Sequence, residues 1–378
     1  MPWQEVTVMS QREEFVKFAL GMGSNIAALC RRFKISRKTG YKWIQRFLED
    51  GVGALADESR KPKNSPGKTH AAMEQAVLEL REQHPAWGGR KIRKRLQNLG
   101  WEAAPAASTI TAILKRHGCI DPAQWRKHRP WQRFEAPAAN DLWQMDFKGH
   151  FEADHGRCHP LTVLDDHSRY ALGLQACGDQ RTMTVKTQLT RILHCYGLPR
   201  RLLVDNGSPW GSDELHPYNP LTVWLIRQGI VVIHSGSYHP QTLGKDERFH
   251  RSLKAEVSQY CVGLSLMQCQ SRFDAWRDVY NFHRPHEALN MQTPVQRYTP
   301  SLRVYRDKPA PIEYGADDQL RKVQHGGWLS YRGKAYRVGK AFHGEQVALR
   351  PSQTDGLLDV YFCNQRIAQI NLISIPGS

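Results

Sequence analysis

Three carboxylates carry the chemistry this sequence could perform, because each sits where a charged group is costly or conspicuous. Asp146 falls in the middle of LWQMDFKGHF, a run that predicts a strand. A carboxylate there is expensive unless something partners it. Asp205 ends the short apolar strand Leu202–Val204, and Asn206-Gly207 and Pro209 stop that strand, since these residues favour turns over ladder pairing. Glu247 lies on a helix that starts near Gly244, after a strand at Val231–His234 and a loop punctuated by Gly236 and Pro240. On that helix Glu247, His250, Arg251 and Lys254 are spaced to share one face, while Phe249, Leu253 and Val257 repeat by fours on the buried side. Carboxylates at strand ends and on a helix face are the oxygen ligands that a hard divalent cation takes.

The elements that must position these residues run from 140 to 300. The Asp146 strand is followed by RCHPLTVLDDHSRYALGLQA, which reads as a strand, a turn at Asp165-Asp166-His167-Ser168, and a second strand. TMTVKTQLTRILHCYG is an amphipathic helix with Val185, Leu189, Ile192 and Leu193 inward. The Asp205 strand, a helix near 220–228, the 230–234 strand, the Glu247 helix and a further helix ending near 285 complete the unit. Three antiparallel strands followed by alternating helices and strands describe a mixed five-stranded sheet with helices packed on it, an α/β core.

Two helical units precede this core. Residues 10–50 predict three helices capped by Ser10, Asn25 and Ser36, and the tight link Lys34-Ile35 gives the last two a helix-turn-helix pattern. Arg37, Lys38, Thr39, Tyr41 and Lys42 would face a DNA groove or its phosphates; a small helical interaction unit with a solvated basic face is the plainer reading. A Gly/Pro/Lys-rich linker covers 51–70, and 71–120 repeats the helical logic with Pro105 and Ser108 introducing its third helix. There the run Arg90, Lys91, Arg93, Lys94 and Arg95 suits phosphate contacts, which add affinity with little sequence information. A basic, Pro-rich linker spans 121–139, and the tail from 318 predicts a small all-β module whose function is not legible.

Charge distribution agrees with a polyanionic partner. The chain of 378 residues carries 53 Lys and Arg against 36 Asp and Glu. Residues 1–135 hold 25 of the basic residues against 13 acidic ones, whereas 136–300 hold 17 against 16. Solubility alone does not require that asymmetry. The eight cysteines are scattered without a CxxC pair, which predicts reduced thiols and a cytoplasmic, nucleoid-associated setting. Neither a signal peptide nor an apolar stretch long enough to span a membrane is expected.

WQMDF, VLDDHSRY, LVDNG, HPQTLGKDERFHRSLK and YNFHRPHEALNMQTPVQRY together resemble bacterial insertion-sequence transposases whose catalytic core belongs to the retroviral-integrase-like superfamily. The resemblance covers roughly residues 10–300. It implies a multidomain chain with helix-turn-helix units, a ribonuclease-H-like core and an Asp/Asp/Glu triad, here Asp146, Asp205 and Glu247, binding two Mg²⁺ ions for which Mn²⁺ can substitute. It implies DNA strand cleavage followed by 3′-hydroxyl strand transfer, with duplex DNA as partner (terminal inverted repeats and target) and a homo-oligomer when two ends are paired. Between Asp205 and Glu247 lie 41 residues, somewhat more than integrases usually have, and the extra length is expected in the 208–220 loop. The His/Cys zinc unit of retroviral integrases is absent. Arg251 and Lys254 are candidates for holding the DNA backbone near the metals. Asp165 and Asp166 are assigned to the hairpin turn and Asp246 to solvent, and His150, His155, Cys158 and His159 match a zinc cluster only loosely. A DNA-binding regulator without catalysis and a nuclease for RNA–DNA hybrids are the rival readings.

Overall fold

A computed structural model describes residues 7–57, 68–120, 135–211, 217–235 and 244–373. Most of the 121–139 linker, residues 58–67 of the first linker, residues 212–216 of the 208–220 loop and the loop at 236–243 lie outside the described residues. The chain divides into two compact units, Met1–Lys68 and Thr69–Ser378.

The first unit has helices α1 (Val8–Ala19), α2 (Ile26–Arg32) and α3 (Arg37–Asp50), closed by a 3₁₀ turn at Val52–Leu55. Asn25 and Ser36 cap α2 and α3 through their side chains, as expected. Helix α1 starts one turn earlier than expected, because Thr7 and not Ser10 is its cap. Ser10 instead donates its hydroxyl back to the Thr7 carbonyl. Phe15, Val16, Cys30, Trp43 and Leu55 form the core. Gly40 is required on α3, since a β-carbon there would lie 2.6 Å from the Cys30 sulfur and 2.9 Å from the Phe15 ring.

The second unit opens with α4 (Ala71–Gln83), α5 (Gly89–Asn98) and α6 (Ala107–Arg116), packed on Val77, Trp87, Ile92, Leu96 and Ile110. Gly89 lets α5 approach α6, where a β-carbon would sit 2.4 Å from the Ala107 carbonyl. The following sheet contains β1 (Leu142–Phe147), β2 (Phe151–Glu152), β3 (Arg157–Asp165), β4 (Ala171–Cys177), β5 (Arg201–Val204) and β6 (Val231–His234). β4 and β1 flank β3 antiparallel, β5 joins β1 in parallel, and β6 is the outer strand beside β5. The two-residue β2 continues the line of β1 along β3, so the expected five-stranded mixed sheet is present with this short addition. Alternation along β3, with a register shift that skips Leu172 in β4, divides the side chains: Leu161, Val163 and Leu172 pack beneath α7 (Thr182–Tyr196), and Leu164, Ala171 and Leu174 pack beneath α9 (Gly244–Glu256) and α10 (Leu266–Asp278). Helix α8 (Pro220–Arg227) connects β5 to β6 and is capped by Asn219.

The tail is the all-β module its alternation predicts. It contains β7 (Gln319–Lys322), β8 (Trp328–Tyr331), β9 (Lys334–Arg337), β10 (Gln346–Pro351), β11 (Leu357–Phe362) and β12 (Gln365–Asn371). Its Phe342, Val347, Val360 and Phe362 are continuous with the sheet core through Tyr218, Trp224 and Tyr305.

Helix α9 is locked at its far end by a buried ion pair. The Arg284 guanidinium meets Glu256 at 2.6 Å, both side chains 6% exposed, and Arg284 also donates to the Ser252 hydroxyl at 3.0 Å. The Trp276 indole donates to the other Glu256 oxygen at 2.7 Å. Removing one member of such a pair strands its partner's charge in the interior. Arg284→Met should therefore destabilise the protein by about 3–5 kcal/mol in urea denaturation, and a loss below about 1 kcal/mol would show that the pair does not hold this helix.

Candidate active site

The sheet register brings two of the three candidate carboxylates together. β1 and β5 run parallel with Trp143 opposite Leu202 and Gln144 opposite Leu203. Continuing that register by two residues sets Asp146 beside Asp205, which directly follows β5. Asp146 accepts the Phe147 N–H at 2.8 Å, and Asp205 accepts the Gly207 N–H at 3.2 Å. Neither contact offsets the charge. Burial, and then the neighbouring Asp205 charge, push the Asp146 carboxyl up to about 6. Asp205 is likewise raised by burial, with the Gly207 N–H and His234 acting in the opposite direction. Two adjacent carboxylates raised in this way favour a positive charge brought beside them.

His250 reaches the same place from α9. Thr162 gives its one hydroxyl proton to the Asp146 carbonyl at 2.9 Å, and its oxygen is 2.8 Å from His250 Nε2. His250 must then donate from Nε2, which leaves the Nδ1 lone pair facing Asp146 Oδ2 at 4.0 Å. Burial, helped by the Lys148 charge, pulls His250 down to about 4, so the ring is neutral at pH 7. Lys148 is itself lowered by burial and by the charge of Lys254, so two ammonium groups lie near one another on the His250 side of the site. His250 was placed by its spacing from Glu247, but its contact with Asp146 had no signal in the sequence, and neither did the position of Lys148.

Glu247 occupies the exposed side of the first turn of α9, one turn before His250. Among the described residues, no three His, Cys, Asp or Glu side chains form a group that could hold a metal ion. The structure thus joins Asp146 to Asp205 and leaves Glu247 on the adjacent helix, outside that pair. Arg251 and Lys254 are exposed on the same helix.

Asp246 is not at the surface. It is 1% exposed, and neither of its carboxylate oxygens has a hydrogen-bond partner. The 100° step from Glu247 that was taken to carry Asp246 into solvent carries it toward Phe249, three residues on, which sits in the core. Burial, with the charges of Asp146 and Asp166 beyond it, raises its carboxyl well above the ordinary value.

Asp165 and Asp166 also lie in the interior. Asp165 accepts from Asn140 N–H and from the N–H and hydroxyl of Ser168, which fixes the β3–β4 turn. Asp166 accepts from Ala136 N–H and Gln144 Nε2, each at 2.7 Å, and forms an ion pair with Lys245. Lys245 opens α9, so this pair anchors the start of the Glu247 helix to the hairpin. Cys158 is buried beside Cys261 and Cys269, with its thiol pushed up by burial, and is part of the packing between β3 and α10.

The DNA-contact candidates divide. Arg37, Lys38, Tyr41 and Lys42 are exposed on α3, while Thr39 is half-buried and donates its N–H to the capping Ser36 hydroxyl. On α5, Arg93 is exposed, and Lys94 and Arg95 are half-buried. Arg90 lies 3.6 Å from Glu287. Lys91 turns toward Arg284 and Glu256, and burial lowers it to about 8. The α5 charge run therefore spends part of itself on the core.

Comparisons with known proteins agree with this architecture. Residues 136–240 and 228–294 match integrase core domain families, 318–374 match the IS481 family transposase C-terminal domain, 11–63 match a helix-turn-helix domain and 39–114 a homeodomain-like domain. The chain is 26% identical over 47% of its length to the uncharacterized 31.7 kDa protein of insertion element IS407 from Burkholderia multivorans, spanning 61% of that relative. It is 28% identical over 72% of its length to the uncharacterized 39.2 kDa protein of insertion element IS476 from Xanthomonas euvesicatoria, spanning 78% of it. The HTLV-2 integrase catalytic core domain superposes at a TM-score of 0.35 and 15% identity, covering 44% of this chain and 100% of that one. Helix-turn-helix domains before an integrase core define the class. The region behind them is similar to the C-terminal domain of IS481 family transposases, and the IS407 and IS476 relatives are proteins of insertion elements. No described helix is long and apolar enough to cross a membrane.

A raised carboxyl favours its protonated form in the folded state, so that contribution is present at low pH and lost as pH rises toward and past about 6. Asp146→Asn should therefore raise the metal-free melting temperature at pH 8, by roughly 1–3 kcal/mol in stability, and change it little at pH 4. An equal gain at both pH values would show that the carboxylate charge is not the cause.

Proposed function

We propose that this chain is a DNA transposase that binds the ends of its element, cuts a strand there and joins the freed 3′-hydroxyl to target DNA. The observation that carries this reading is the pair Asp146 and Asp205, set side by side by parallel strands and both raised by burial. Their chemistry fits Mg²⁺ or Mn²⁺, with Asp146 and Asp205 as ligands and Glu247, on the exposed side of α9, as the third. Two such ions, when bound, would activate a water or 3′-hydroxyl and stabilise the departing oxygen.

The protein's own groups prepare the rest. His250, neutral and tied to Thr162, fixes the side of Asp146 from which the carboxylate can approach a cation. Lys148, Lys254 and Arg251 offer positive charge to the phosphates beside the carboxylates. Arg37, Lys38, Tyr41 and Lys42, at the exposed start of α3, are proposed to read the element's end, and Arg93 to hold phosphates. Two ends brought to one reaction call for more than one copy of the chain.

Two carboxylates adjoin on α9, and substitution separates their roles. Glu247→Gln should abolish Mg²⁺-dependent nicking of a duplex carrying the element's end while binding survives. Asp246→Asn should retain nicking and raise thermal stability, because it removes an unpartnered buried acid. The reverse pattern would make Asp246 the ligand. Deleting residues 1–60, most of the first compact unit, should remove sequence-specific footprints; an unchanged footprint would take end recognition away from α3. Binding without any metal-dependent nicking by the intact chain would instead mark a regulator.

A further inference from the structure

β6 is the outer strand of the sheet, and its parallel pairing with β5 uses the Val231 and Ser235 N–H groups, which bond the Arg200 and Val204 carbonyls. The peptide groups of Val232 therefore face outward, where an unpaired edge would leave them without partners. A side chain from the C-terminal module takes that place. Gln365, the first residue of β12, accepts the Val232 N–H at 2.9 Å and donates to the Val232 carbonyl at 2.9 Å, as a neighbouring strand would. The same amide nitrogen is 3.2 Å from the Tyr218 hydroxyl.

Tyr218 extends the connection toward the carboxylates. Its ring stands edge-to-face against His234 at 6.1 Å and against Phe342 of the module at 5.2 Å. His234, the last residue of β6, donates from Nδ1 to the Asp205 carbonyl at 3.0 Å. Asn206 spans the same two strands by donating to the Ser235 carbonyl at 2.8 Å. The backbone of Asp205 is thus held by β6, and β6 is held by Gln365.

We infer that the C-terminal β module acts as a positioning element for the active site: Gln365 pairs with the free edge of β6 and, through Tyr218 and His234, sets the position of Asp205. The catalytic half of this inference rests on the metal-dependent reading above, while the structural half stands apart from it. The module so defined is more than a solubilising tail, because its contact ends on the backbone of a candidate ligand.

The test compares full-length wild type, Gln365→Ala, Gln365→Glu and Arg227→Ala. Gln365→Glu keeps the acceptor for Val232 N–H and loses the donor. Arg227→Ala breaks the 2.8 Å ion pair with Glu345 of the module and leaves the β6 edge intact. Amide exchange over 201–205 and 231–235 should rise in both Gln365 variants and stay at the wild-type level in Arg227→Ala. On a duplex carrying the element's end, Gln365→Ala should lose about tenfold in nicking rate at saturating DNA or need about tenfold more Mg²⁺ for half-maximal rate, with DNA affinity unchanged. Gln365→Glu should fall between it and wild type. Unchanged exchange, exchange raised throughout the chain, or Arg227→Ala matching Gln365→Ala would overturn the inference. Raised local exchange with an unaltered rate and Mg²⁺ requirement would overturn it too. A wild-type chain that never nicks would sink the transposase reading instead, and the exchange pattern would still decide whether Gln365 holds Asp205.

Discussion

Electrostatic repulsion between Asp146 and Asp205 is the constraint on which the site depends. Parallel pairing of β1 with β5 sets the two side by side, and half-burial weakens the screening that water would give them. A protein that keeps two such groups side by side holds free energy that protons or a cation can release. The sheet is rigid enough to sustain that because large apolar side chains pack both of its faces, Trp143, Met145 and Val204 on one and Leu164 and Leu174 on the other.

Helix α9 is the second fixed part. Lys245 ties its first turn to Asp166 beneath the β3–β4 hairpin, and Glu256 ties its last turn to Arg284. Between these anchors Phe249 and Leu253 set its rotation about its own axis. That rotation decides which acid of the Asp246-Glu247 pair is interior and which is available. It also turns His250 onto Thr162 and Asp146. The ion pairs contribute less through net attraction than through the cost of leaving either partner alone in the interior.

The two basic helical regions use their charge differently. The first unit carries its exposed basic residues at the start of α3, where the helix terminus can enter a groove. Helices α4–α6 pack near the turn after α10: Val279 joins their apolar cluster and Arg90 meets Glu287, so α5 serves packing as well as charge. The C-terminal module shares one continuous apolar cluster with the sheet, which explains why its alternating strands could be recognised while its role could not.

The sequence by itself determined the elements and their order, because period-two and helical spacings, caps such as Asn25 and Ser36, and the turn at Asn206-Gly207 are local properties of the chain. It also singled out Asp146 and Asp205, since a carboxylate within or ending an apolar strand is conspicuous without any neighbour in view. Only the tertiary structure decided what each charge faces. Asp246 goes inward because Phe249 anchors the helix phase, Lys91 turns from solvent because Arg284 and Glu256 lie beside it, and Asp166 is buried because Lys245 arrives from 79 residues away. Gln365 meets Val232 across 133 residues for the same reason. Partnerships at such separations are set by how the sheet edge, the helices and the β module pack together, and local pattern carries no information about them.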